Sequence, residues 1–298
     1  MKRFLCGLVA LAVSVGVTET AKGQANYVYT PIEVPGVFNT IATGINNAGQ
    51  VVGYYVVNGA AHGFLLNRGV FTTVDVPGFF STEAYGINDI GQIVGYCSNP
   101  GPRQTDQGFL FSGGSFTTVN RPGASFTHFG GINNLGQIVG DSANGGFLMS
   151  GGTFTSLPFP GSGINNLGQI VGGNYLLSGG NLTQINGGAA GINDFSQIVG
   201  GEVSTGFLLT GGQYVTLSVP GSIQTVATGI NNAGEIVGSY RDANGEFFGF
   251  FATPNLSPLP EPSTFLLLGI STLGVIAWTR HRRSSPIHGS EDAEGLIA

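Results

Sequence analysis

A ten-residue motif that occurs six times is the feature that most constrains the fold of this chain. The motif reads Gly-Ile-Asn-[Asn/Asp]-x-[Gly/Ser]-[Gln/Glu]-[Ile/Val]-Val-Gly, and its copies start 28 to 45 residues apart. They begin at Gly44, Gly86, Gly131, Gly163, Gly191 and Gly229. A period of this length indicates a repeat architecture, in which each unit is a small supersecondary structure that buries its apolar face against its neighbours.

Each unit predicts four short β-strands. In the second unit we expect them at residues 83–87, 92–97, 108–111 and 115–119. The Asn-Asp-Ile-Gly segment between the first two is typical of a tight hairpin, because Asn and Asp bond their own backbone and Gly adopts positive φ without steric cost. The repeats show no helical periodicity, and the chain has 52 glycines with only 9% charged residues. These features predict an all-β protein.

Four-stranded units repeated six times are typical of β-propeller blades. We therefore predict a six-bladed β-propeller over residues 26–253, with an open β-solenoid as the alternative fold. The motif resembles the HAF family of extracellular repeats found in bacterial surface proteins, over about residues 29–253. That resemblance implies a surface location, and it brings no catalytic residues with it.

The N-terminal strand is predicted to close the ring. The sixth unit lacks the Phe-Thr-x-Val strand that ends most units, and residues 29–36 align without gaps to residues 71–78, which contain that strand. Residues 29–34 should therefore pair with residues 247–253 as the outermost strand of the last blade. Pro31 fits an edge strand, where a missing N–H faces solvent. In a solenoid this segment would lie beside the first repeat only.

The N-terminus has the three parts of a secretory signal peptide. Lys2 and Arg3 are basic, an uncharged run follows, and a polar stretch ends in Gly23-Gln24-Ala25. Residues 1–25 are therefore predicted to be a leader that is removed on export.

The C-terminus is predicted to be a sorting and anchoring tail. A Pro-rich linker that contains the Pro-Glu-Pro motif spans residues 254–262, an apolar helix spans 263–279, and a basic cluster with a polar tail spans 280–298. The apolar run followed by arginines predicts a single transmembrane helix with its basic end in the cytoplasm. The tail resembles the PEP-CTERM sorting signal, and the matching residues are Pro260, Glu261, Pro262, Arg282 and Arg283. That resemblance implies handling by a membrane-embedded exosortase.

Charge and cysteine content exclude some function classes. The formal net charge is −6, and residues 26–253 contain no lysine and only four arginines, so nucleic-acid binding is not expected. Removal of the leader would take Cys6 with it and leave Cys97 alone. A lone cysteine can be a strand-packing residue, a reactive thiol or an intermolecular bridge.

Two sets of repeated polar residues each allow two interpretations. The Asn-Asn or Asn-Asp pair of each motif suits a turn, but its oxygens could also bind calcium. Likewise, the Gln or Glu that opens each second strand suits ordinary hydrogen bonding, but it could line a channel and bind sugar hydroxyls. These residues are Gln50, Gln92, Gln137, Gln169, Gln197 and Glu235.

No constellation typical of catalysis is visible, so we predict no catalytic, cofactor or metal site. His62 and His128 occupy unrelated repeat positions. Propeller glycosidases use paired carboxylates, and candidate acid pairs such as Asp75 with Glu33 or Asp89 with Asp194 occupy equivalent positions in the repeats, which favours a scaffold role.

The sequence therefore predicts an exported, non-enzymatic surface or matrix protein of the cell envelope. Its expected partners are the membrane, an exosortase-type enzyme and, through the propeller loops, an exopolysaccharide or another envelope partner. A carbohydrate-active enzyme with carboxylates in the channel is the alternative.

Overall fold

The computed structural model describes residues 23–24, 27–37, 39–100 and 106–255, and within them every regular element is a β-strand. Two strands precede the first motif, β1 (Gly23–Gln24) and β2 (Tyr27–Ile32). The first repeat forms β3 (Thr40–Ile45), β4 (Val51–Val57), β5 (Ala60–Asn67) and β6 (Val70–Thr73). The second forms β7 (Ser81–Ile87), β8 (Ile93–Ser98), β9 (Gln107–Ser112) and β10 (Ser115–Val119).

The remaining repeats continue the pattern with one irregularity. The third forms β11 (Thr127–Ile132), β12 (Ile138–Ser142), β13 (Phe147–Ser150) and β14 (Thr153–Ser156). The fourth and fifth together form β15 (Gly163–Ile164), β16 (Ile170–Ser178), β17 (Asn181–Ile192), β18 (Ile198–Gly201), β19 (Gly206–Thr210) and β20 (Gln213–Leu217). The sixth supplies β21 (Gln224–Ile230), β22 (Ile236–Arg241) and β23 (Phe247–Pro254).

The strands form a β-propeller arrangement of five sheets. Four sheets have four antiparallel strands each, and the fifth has seven, in the order β1-β20-β19-β18-β17-β16-β15. The prediction of six separate four-stranded blades is therefore wrong. In the fourth repeat the second and third strands are continuous and form β16. The outer strand of the fourth repeat is likewise continuous with the inner strand of the fifth repeat, and together they form β17. Sharing β17 merges the two units into one sheet.

The ring closes as predicted, through the N-terminal strand. Strand β2 pairs antiparallel with β23, with Tyr29 opposite Ala252 and Pro31 opposite Phe250. The first and last motifs also touch directly, because Thr228 Oγ1 donates to the Ala42 carbonyl at 2.8 Å. These contacts confirm the predicted closure and rule out the open solenoid.

The glycine that ends each motif is required by the core. In β4 an added Cβ at Gly53 would lie 2.0 Å from the Ile41 carbonyl and 2.7 Å from the Phe64 ring. Phe109, Phe147, Phe207 and Phe250 lie under the corresponding glycines of four other repeats. The fourth repeat has no such Phe in its third strand, and Phe159 packs near Gly172 instead. The motif glycine and its Phe thus form one packing unit.

The predicted transmembrane helix, residues 263–279, lies outside the described residues. Within the part of the chain that is described, no helix is long and apolar enough to cross a membrane.

Candidate ligand-binding site at the mouth of the channel

The six inner strands surround a channel whose two ends differ. The inner strands all run toward the motif turns, so the turns lie together at one end, which we call the turn face. The loops between second and third strands lie at the other end, which we call the loop face. Strand β8 ends and strand β9 begins at the loop face.

Two closed rings of hydrogen bonds link the six motifs at the turn face. In the inner ring, each first Asn side chain donates to the backbone carbonyl of the first Asn in the next repeat, as from Asn46 to Asn88 at 3.1 Å, and the last bond returns from Asn231 to Asn46. In the outer ring, the donor is the backbone amide of the second Asn or Asp in each motif. It donates to the side-chain oxygen of the corresponding Asn or Asp in the next repeat. The six motifs therefore hold each other in a closed circle.

The first Asn of each motif is a turn residue. Asn46 Oδ1 accepts from the backbone amides of Ala48 and Gln50, and the Asn Oδ1 accepts from the corresponding Gln or Glu amide in all six repeats. The repeated Gln and Glu side chains accept from these asparagines, as Gln50 Oε1 does from Asn46 at 2.8 Å. This geometry favours turn formation over calcium binding, and ordinary hydrogen bonding over sugar recognition, at these positions.

The acid pair Asp89 and Asp194 lies in the outer ring and lines a cavity of about 60 Å³. Burial alone would raise the pKa of Asp89, but hydrogen bonds from the Asn47 backbone and from the Asn134 and Asn47 side chains outweigh it, so the pKa lies below its ordinary value. The same balance lowers the pKa of Asp194. A glycosidase acid needs a raised pKa, so this pair does not suit acid–base chemistry.

In the other acid pair, Asp75 with Glu33, the described contacts are those of Asp75. Asp75 is engaged by His62, whose Nδ1 lies 2.7 Å from Asp75 Oδ2, and by the Gly63 amide at 3.1 Å. Glu33 follows β2 at the loop face. No group of three or more His, Cys, Asp or Glu within the described ranges is placed to hold a metal ion.

A cavity opens at the loop face. It has a volume of about 330 Å³, within the range of small-molecule sites, and it lies mainly against the second, third and fourth repeats. Its polar and aromatic lining includes Tyr85, Tyr96, His128, Asp141 and Ser162.

A strip of aromatic rings borders this cavity. Tyr54 lies 6.2 Å from Tyr85 between ring centroids, Tyr85 stacks on Tyr96 at 5.7 Å, and Tyr96 stacks on His128 at 4.1 Å. Phe126 extends the strip, 4.9 Å beyond His128. The rings come from three repeats, so the closed ring positions them.

Burial, together with Glu83, raises the pKa of the tyrosines in this strip. Tyr85 donates its hydroxyl to Glu83 Oε2 at 2.9 Å. Burial, reinforced by the Glu83 charge, raises the pKa of Tyr85 and of Tyr96 far above the ordinary value, and it raises the pKa of Tyr54 to about 12. Neutral phenols are poor nucleophiles, so these side chains suit binding rather than covalent chemistry.

The largely buried carboxylate of Asp106 contacts His128 at the edge of the cavity. His128 Nε2 lies 2.8 Å from Asp106 Oδ2, and Asp106 Oδ1 is a buried oxygen without a hydrogen-bond partner among the described residues. Sequence reasoning did not find this site. The available signal was a departure from the repeat: Tyr85 stands where the other units have Thr43, Gly130, Ser162, Ala190 and Thr228.

Cys97 is a packing residue in the core of the second repeat. It is fully buried, and its Sγ lies 3.5 Å from the Gln107 carbonyl. Burial, with a smaller effect of the Asp106 charge, raises the pKa of the Cys97 thiol to about 12. This environment favours strand packing over a reactive thiol or an intermolecular bridge.

Comparison with known proteins identifies the C-terminal tail. Residues 258–283 match the PEP-CTERM protein-sorting motif. All five predicted sorting residues, Pro260 to Pro262 with Arg282 and Arg283, fall within this match and outside the described residues. No curated protein matches the chain. The motif implies export, processing by an exosortase, membrane anchoring and an envelope or surface location.

Proposed function

We propose that this chain is a non-enzymatic surface or matrix protein of the cell envelope that binds an exopolysaccharide at the loop-face mouth of its propeller. Its six repeats would be of the HAF extracellular type, and its exosortase-sorted tail would hold it where exopolysaccharide is assembled. The observation that carries the proposal is the aromatic strip beside an open cavity of about 330 Å³, in a chain that carries a sorting motif.

The chemistry of the mouth suits a saccharide. Tyrosine rings offer an apolar face to the C–H groups of a sugar and a hydroxyl to its polar edge. Here three tyrosines and a histidine form a continuous strip, and Asp141 and Ser162 add polar groups on the cavity wall. A series of successive ring contacts suits an extended chain of sugars better than a compact ligand.

The enzyme alternative has less support. A glycosidase needs a proton donor and a second carboxylate on opposite sides of the scissile bond. Asp89 and Asp194 have lowered pKa values and lie at the opposite end of the channel from the cavity. Glu83 at the mouth accepts a hydrogen bond from Tyr85.

The test is equilibrium binding of the full chain to the exopolysaccharide of the producing cell. Tyr96→Ala should weaken binding at least about tenfold, because it removes the centre of the strip, a loss of about 1.4 kcal/mol. Tyr240→Ala is the matched control: Tyr240 stacks on Phe248 at 5.4 Å at the same face, away from the cavity lining. Equal effects of the two variants, or no binding by the parent chain, would refute the proposal.

A further inference from the structure

The turn face carries a crown of exposed apolar side chains. The fifth residue of the motif is the tip of each turn, and four consecutive repeats place a large apolar residue there: Ile90, Leu135, Leu167 and Phe195. These side chains are 68% to 72% exposed, and the remaining tips, Ala48 and Ala233, are also exposed. Turn geometry does not require these residues, since alanine serves at two of the six positions.

The turn face holds fewer charged residues than the loop face. In the described part of the chain the turn face holds Arg68, Asp89, Asp194 and Glu235. The other charged residues lie at the loop face, according to the strand directions: Glu33, Asp75, Glu83, Asp106, Arg121, Asp141, Glu202, Arg241, Asp242 and Glu246. Large exposed apolar side chains at the tips of neighbouring repeats, on a face with few charges, indicate an interaction site with a protein or a membrane.

The chain leaves the described propeller at this same face. Strand β23 ends at Pro254, and a Cβ added to Gly234, the residue after tip Ala233, would lie 3.5 Å from Pro254 Cγ. Seven residues, 256–262, then separate the propeller from the apolar run of the sorting motif. A tether of that length spans at most about 25 Å.

We propose that the crown rests on the surface of a lipid bilayer, with the tips of Ile90, Leu135, Leu167 and Phe195 in the interfacial layer. The proposal rests on the membrane anchoring in the proposed function, because a short tether at the turn face keeps this face near the lipid. The bilayer should be zwitterionic, since three acids and one arginine give the turn face a negative charge that anionic lipids would repel. The loop-face mouth would then point away from the membrane.

A fluorescent probe at the crown tests this contact in the full chain. We would attach an environment-sensitive dye to Leu135→Cys and, as the control, to Val203→Cys, which replaces a 93% exposed residue at the loop face. Cys6 is replaced by serine, and the buried Cys97 does not compete for the label at neutral pH because its thiol pKa is raised to about 12. The protein is reconstituted in phosphatidylcholine vesicles with brominated acyl chains.

The expected result is a blue-shifted dye at position 135 that brominated lipid quenches several-fold more than the dye at position 203. In the Ile90→Ala/Leu167→Ala/Phe195→Ala background, quenching at position 135 should fall toward the control value. Equal quenching at both positions, or unchanged quenching in the alanine background, would overturn the proposal. A blue shift that appears without lipid and grows with protein concentration would also overturn it and indicate a second copy as the occupant.

Saccharide binding serves as the independent readout. The crown variants should bind exopolysaccharide as the parent does, because the mouth lies at the other end of the channel. Loss of lipid contact with saccharide binding retained would therefore separate failure of this inference from failure of the proposed function.

Discussion

The same six strands form both ends of the channel, but the residues at one end repeat from unit to unit and those at the other end vary. At the turn face the first Asn of the motif occurs in all six units and has the same partners in each. At the loop face the residue before the motif is different in most units, and Tyr85 of the second unit builds the aromatic strip. Repetition therefore identifies the scaffold, and departures from it identify the candidate site.

The largest loss of stability is expected from opening the ring, because both ends of the channel depend on its closure. Deleting residues 26–36 removes β2, which pairs along β23 and buries Ile32 in the core. We expect a loss of about 5 kcal/mol or more, comparable with the whole stability of an ordinary domain. Thermal unfolding followed by circular dichroism should show no cooperative transition at the parent temperature.

The control for the deletion keeps the strand and changes an exposed side chain. Val28→Thr alters a residue that is 53% exposed in β2 and should change stability by less than about 0.5 kcal/mol. A deletion variant that unfolds like the parent would show that the ring does not need β2.

Closure and the strands could be predicted from the sequence because their signals are local. The Asn-Asp-Ile-Gly turn is one short segment, and closure is predicted by aligning two short segments, residues 29–36 and 71–78. The second unit shows this, since its four predicted strands agree with β7 to β10 within two residues at each end.

The merged sheet and the loop-face cavity could not be predicted in the same way. Merging depends on β17 running on from one unit into the next, with Gly187 at a φ of 89° inside the strand, and the repeat count carries no sign of this. The cavity depends on Tyr96 and His128, which lie in different repeats and stack at 4.1 Å only because their sheets pack side by side. Such contacts come from the assembled ring and not from any one segment.

The second prediction compares the inner and outer hydrogen-bond rings at two neighbouring asparagines of one turn. Asn133 is 3% exposed, its side chain donates to the Asn165 carbonyl and to Gln137, and it accepts from the Leu135 amide. Asn133→Ala leaves these groups without partners and should cost about 2–4 kcal/mol of unfolding free energy. Chemical denaturation at a constant m-value measures this.

The adjacent Asn134 provides the matched variant. Its side chain is exposed and donates to Asp89 at 2.6 Å, where water can replace it. Asn134→Ala should therefore cost less than about 1 kcal/mol. Similar losses for Asn133→Ala and Asn134→Ala would show that the inner ring is no more important than the outer ring.

The smallest expected effect concerns the charges in the outer ring. Asp89 and Asp194 occupy a position where the other four units have Asn, so Asp89→Asn should fold normally. Because hydrogen bonds lower the pKa of Asp89 in the folded state, the ionised form stabilises the fold at pH values above the unfolded pKa of about 3.9. That contribution is lost as the pH falls through the lower, folded pKa.

The parent should therefore lose more stability than Asp89→Asn on acidification from pH 5 to pH 2. Asp141→Asn makes the same change in charge at the loop face, and its melting temperatures over that range separate the ring effect from net charge. If Asp89→Asn keeps the full acid sensitivity of the parent, the hydrogen bonds from Asn47 and Asn134 do not stabilise the charge, and the outer ring holds the repeats together through neutral contacts alone.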